Sequence, residues 1–213
     1  AGPSVSPLPP LATTTVVMVL VPYVYYALRQ GWTLAIVRAR SASALAGLSL
    51  GVSIGLCVLA FQLWCVDGSL GQAWSRIGDS LYRRTAGRLV ELGGGGLPRT
   101  VPGVRETLSR YGKGTAIDLK PPWLQLEFRQ LIFLFLGASA LALRRIRSGR
   151  IEHGESRRIL GLIGATWVSI LGPLAWFVVF MGHATVHFHL DHVVWHMPFT
   201  ILGWALCGVV LEL

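Results

Sequence analysis

The chain has 213 residues, 53% of them apolar and only 14% charged, with a mean hydropathy of +0.57. Soluble domains average about 25% charged residues, so this composition excludes an ordinary water-soluble domain. The formal charge of +9 would suggest nucleic acid in a soluble chain. Here the arginines border apolar runs, where positive charge orients helices or meets lipid phosphates, and no groove-reading motif is present. No nucleic-acid partner is therefore expected.

The opening AGPSVSPLPP lacks Met, a basic n-region and a cleavage-site pattern. It reads as a processed or truncated start rather than a signal peptide. Runs of about 20 apolar residues mark transmembrane helices, and the expected fold class is an all-α integral membrane protein with about five of them. The first spans Leu11 to Leu28, interrupted by Pro22, and the second Ala44 to Val66. The third starts behind Pro121-Pro122, which suit a helix start, and covers Trp123 to Leu143. The fourth covers Ile159 to Met181 with a kink at Pro173, and the fifth His192 to Leu213 with Pro198 near its start. Three parts follow: residues 1–66 with two spans, an outer loop over 67–121, and residues 122–213 with three spans and a His-rich outer connection. Cys57, Cys65 and Cys207 lie in or beside apolar runs and read as small core hydrophobes.

Basic residues in short connections set orientation. Arg29, Arg38 and Arg40 follow the first span, and Arg144, Arg145, Arg147, Arg150, Arg157 and Arg158 separate the third from the fourth. Both connections are expected on the cytoplasmic side, which places the N-terminus and the His-rich segment outside and the C-terminus inside. The outer loop is basic too, but charge in long loops counts for less. Trp64, Trp123 and Trp195 fall near the outer boundary, as an aromatic belt would.

Within the outer loop, Leu70, Trp74, Ile77, Leu81 and Leu89 recur at helical spacing, while Arg76, Arg83, Arg84 and Arg88 lie mostly off that stripe. The pattern predicts an amphipathic helix on the membrane surface or capping the bundle. Arg83, Arg84 and Arg88 are candidates for holding lipid phosphate. Gly93 to Gly96 break this helix and, lacking the Gly-Lys-Ser/Thr ending of a P-loop, read as a hinge. A second short helix is expected from Val104 to Tyr111.

The stretch GHATVHFHLDHVVWH, Gly182 to His196, holds all the chain's histidines but His153. On a continuous helix His183, His187 and Asp191 share one face, and His189, His192 and His196 another. If the chain turns there, His187, His189 and Asp191 point one way with period two. His183, His187, His189 and Asp191 are therefore candidate ligands for one divalent transition metal, and His183, His187 and Asp191 candidate acid–base groups. The alternative is structural: interfacial imidazoles bonded to helix ends, the outer loop and water. A di-metal oxygenase needs several His boxes from different segments, and the sequence offers a single cluster.

GPLAWFVVFMGHATVHFHLDHVVWHMPF resembles a segment near the C-terminus of poorly characterised bacterial polytopic membrane proteins with the pattern SW-F-x-GHS-x-IHTH-(M/L)-N-x-V-L-W. The matching positions are Trp176, Gly182, His183, His187, His189, Leu190, Val193 and Trp195, and LYRRTAGR resembles the outer loop of such proteins. Asp191 stands where the pattern has Asn, and Ala184 where it has Ser. The resemblance implies a polytopic, loosely glycosyltransferase-like architecture. Two function classes follow. One is a membrane module or complex subunit whose outer loop meets lipid, another subunit or a missing upstream part of a longer protein. The other is an enzyme acting on a lipid-phosphate at the outer face, although the paired acids usual in such transferases are absent from the sequence.

Overall fold

The computed structural model describes residues 8–85, 108–109, 112–119, 124–179 and 196–213. The chain is mostly helical: α1 (Leu8–Gln30), α2 (Leu34–Asp67), α3 (Leu70–Thr85), α4 (Phe128–Arg147), α5 (His153–Ser169), α6 (Leu171–Val179) and α7 (Ile201–Glu212). A π-helical turn, His196–Thr200, leads into α7, and a hairpin of β1 (Thr115–Leu119) and β2 (Leu124–Glu127) precedes α4. Among the described residues two stretches, α2 and His153–Ala175, are long and apolar enough to cross a membrane.

The described residues are mostly helical, as expected, with one short hairpin beside the helices. Leu124 to Glu127 reads LQLE, alternating apolar and polar with the period of a strand, and it pairs antiparallel with the TAIDL of β1. The third apolar helix therefore begins at Phe128, not Trp123. Its start is fixed by Gln130, whose side-chain oxygen accepts from the Glu127 N–H at 2.8 Å, so one otherwise orphaned donor is satisfied. An irregularity in register at Ala116 turns that residue onto the core, where it packs with Phe128, Leu131, Phe135 and Phe199.

The fourth expected span is two helices joined at Ile170. Pro173 accounts for the break, because its ring lacks an N–H and crowds the carbonyl four residues earlier. The first connection also differs from expectation: it is only Gly31 to Thr33, and Arg38 and Arg40 lie inside the first two turns of α2. Thr33 caps that helix, accepting from the Ile36 N–H at 3.5 Å. An apolar window cannot see a helix that extends into its charged flank.

Helix α1 packs along α5 and α6, and α7 along α4 and α5. Contact between α1 and α5 is close because a methyl group at Gly161 would sit 2.9 Å from the Tyr25 carbonyl oxygen, and one at Gly164 would strike Leu28. Gly203 on α7 likewise admits the Phe135 ring. Small residues at such crossings let the two backbones approach closely. A lower cluster of Ala142, Ile159, Leu206 and Val210 completes the core. In the middle, Trp167 donates to the Ser139 hydroxyl at 2.9 Å, which itself donates to the Phe135 carbonyl at 2.7 Å.

Helix α2 stands apart, packed chiefly on α3. Gly68 ends it in the left-handed conformation (φ 70°), its N–H returning to the Trp64 carbonyl at 2.8 Å. The chain then reverses into α3, whose Ala73 is fully buried and whose Arg76 reaches Asp67 at 2.9 Å. A helix is present over Leu70–Thr85, where the pattern predicts one, but the residue it buries most is Ala73, at the edge of the apolar stripe. Leu70 and Trp74, on the stripe itself, stay exposed.

Candidate functional site

The candidate residues fall unevenly on the described structure. His183, His187, His189 and Asp191 lie outside the described residues, as do Arg88 and His192; Arg83 and Arg84 lie on the last turn of α3. The segment holding the histidines joins the end of α6 to the π-helical turn before α7. Phe199, in that turn, packs on Phe135 at 5.4 Å between ring centroids, in the cluster that the hairpin covers. Glu127 is ion-paired with Arg129 and opens α4 at the hairpin end. Among the described residues no three of His, Cys, Asp and Glu gather as metal ligands would.

The opposite end of the bundle has a defined chemistry. A methyl group at Gly31 would lie 3.0 Å from the Arg157 guanidinium, so the α1–α2 turn and the start of α5 are neighbours. Arg145 donates to the Val210 carbonyl at 3.3 Å, which ties the end of α4 to the end of α7. The two Arg-bearing connections therefore share one end. That end carries Arg29, Arg38, Arg40, Arg144, Arg145, Arg147, Arg150, Arg157 and Arg158, and its acids are Glu152, Glu155 and Glu212. Glu155 is engaged with Arg158 at 3.4 Å. A strong positive field results.

Two hollows open at this end. One, of about 520 Å³, is lined by Arg145, Arg150, Ile151, Glu152, Glu155 and Leu213. The other, of about 450 Å³, is a cleft between α1 and α2 lined by Val19, Pro22, Tyr23, Tyr26, Gln30, Trp32 and Arg40. The Arg40 guanidinium lies over the Trp32 ring, 4.3 Å from its centroid, and Trp32 stands edge-on to Tyr23 at 5.4 Å. The arginines are legible in the sequence, but the cleft is not. The signal was the tyrosines and Trp32 beside Arg40, aromatic residues at the charged end of an apolar run. Comparison with protein-family models, curated proteins and solved structures found no match for the chain.

For the histidines, a structural role has a measurable consequence. His183→Gln and His187→Gln are each expected to lower stability by about 1–3 kcal/mol through partners left unsatisfied, and added zinc should leave the melting temperature of the unaltered protein unchanged. A zinc-dependent rise in melting temperature, lost in both variants, would instead make the cluster a metal site.

Proposed function

We propose that the chain is a polytopic membrane module or complex subunit. Five spans, α1, α2, α4, α5 with α6, and the π-helical turn with α7, cross the bilayer. The Arg-rich end faces the cytoplasm. Helix α3, the hairpin and the histidine segment face the other side, where the basic face of α3 is available to lipid or to a partner subunit.

The observation that carries this reading is α2. Between Arg40 and Asp67 it has no charged residue, and almost all of that surface is exposed, with Leu45 62%, Leu50 63% and Phe61 58% accessible. Soluble monomers rarely expose contiguous apolar patches beyond a few hundred Å². In hydrocarbon the same surface carries no hydration penalty, and a helix satisfies its own backbone donors and acceptors. At about 1.5 Å per residue the uncharged stretch runs about 39 Å, sufficient for a core of about 30 Å with some tilt. Helix α4 adds support: Phe133, Leu134, Leu136 and Leu141 face outward while Leu131, Phe135 and Ala142 face the core.

The test is extraction. In membranes from cells expressing the chain, it is expected to stay in the pellet through washes with alkaline carbonate and with urea. Release into the supernatant by either wash would contradict the reading.

A further inference from the structure

The α1–α2 cleft has two ends of unlike chemistry. Its walls toward the middle of the helices are Val19 and Pro22, and at the turn it is closed by Tyr23, Tyr26, Gln30, Trp32 and Arg40. The helices are pinned at the turn by the Tyr23 hydroxyl, which donates to the Val37 carbonyl at 2.8 Å and lies 2.8 Å from the Ser41 hydroxyl. Beyond the pin, α1 follows α5 and α6 while α2 follows α3. The result is a groove open to the side, apolar above and cationic below.

Arg40 is poised rather than occupied. Among the described residues it donates no hydrogen bond and meets no carboxylate; its contact is the stack on Trp32. With no protein acceptor among the described residues to take its N–H groups, the guanidinium over Trp32 keeps the planar fork that binds a phosphate in bidentate fashion. Trp32 itself donates to the Gln30 side chain at 2.7 Å, which fixes the platform. Arg29 in the last turn of α1, Arg38 in the second turn of α2 and Arg157 packed over Gly31 lie at the same end, so the field around the groove favours an anion. Basic pockets between helices at the cytoplasmic face are suited to anionic headgroups.

Resting on the membrane reading above, we propose that this cleft binds one anionic glycerophospholipid. The phosphate lies on Arg40, the tyrosine and tryptophan rings meet the interfacial region of the lipid, and an acyl chain runs along Val19 and Pro22. Charge complementarity selects the headgroup, and the apolar wall requires the tail. A free phosphate would satisfy only the first.

The experiment uses the full chain purified in a neutral detergent, with bound phosphatidylglycerol counted by native mass spectrometry against phosphatidylcholine. The unaltered chain is expected to retain one phosphatidylglycerol in preference to phosphatidylcholine, and inorganic phosphate should not displace it. Arg40→Gln should weaken retention by about tenfold, the worth of one charge-assisted contact. Val19→Trp, which fills the apolar wall and leaves Arg40 in place, should do the same. Arg147→Gln, at the same end but outside the cleft, should not. Equal losses in the Arg40 and Arg147 variants would reduce the site to a general field and overturn the proposal. So would displacement by phosphate, equal retention of the two lipids, or retention unaffected by Val19→Trp. Arg40→Gln should still resist alkaline extraction, so loss of the lipid site is distinguishable from failure of membrane integration.

Discussion

Replacing Phe135 by alanine is expected to lower the stability of the helical bundle by about 3 kcal/mol, the lower end of the range for deleting a buried phenyl ring. Phe135 is fully buried, meets Phe199 edge-on at 5.4 Å and Trp204 at 5.8 Å, and fills the space left by Gly203. In a bilayer the transfer term largely cancels, because the ring leaves protein for lipid rather than for water. What remains is the lost dispersion contact, the aromatic geometry and a cavity that neighbouring chains cannot fill. Gly51→Ala supplies the contrast. No atom lies within 4 Å of a methyl group at Gly51, so that change should alter stability by no more than about 1 kcal/mol. Reversible unfolding in mixed micelles measures both. A cost below 1 kcal/mol for Phe135→Ala would mean that α4 and α7 do not pack as described.

Apolar density made much of this architecture legible. The positions of α1 and α2, the break near Pro173 and the amphipathic helix after Gly68 all follow from local pattern, because each depends on residues within a few turns of one another. The hairpin does not. The alternation in Leu124 to Glu127 is short and merges with the apolar run that follows; its strand character comes from pairing with Thr115–Leu119, a non-local event. Ala73 was missed for a related reason. Stripe analysis weights large side chains, whereas close approach of α3 to α2 selects a small one. The cleft needs the turn at Gly31 to bring Tyr23, Trp32 and Arg40 together, so no window along the chain contains it. The arginines of the two short connections are legible in the sequence as markers of orientation, not as a site, and their convergence onto one end comes only from contacts between α1 and α5 and between α4 and α7. The histidine segment, the strongest motif in the sequence, lies outside the described residues, and its role rests on the substitutions proposed above.

In the proposed reading the Arg-rich end lies on the cytoplasmic side of a bilayer and the helix α3 end on the other, with α2 running between them. Positive charge in short connections is retained on the cytoplasmic side, and Gly31 to Thr33 and residues 148–152 are both short and flanked by arginines. The most direct test replaces the three native cysteines, places single cysteines at Ser69, Ala184 or Ser148, and treats intact cells with a membrane-impermeant thiol reagent. Labelling at positions 69 and 184, with none at 148 until the membrane is permeabilised, is the predicted result. Labelling of position 148 from outside in intact cells, or equal labelling of all three, would contradict the orientation and with it the placing of the arginine cleft at the cytoplasmic face.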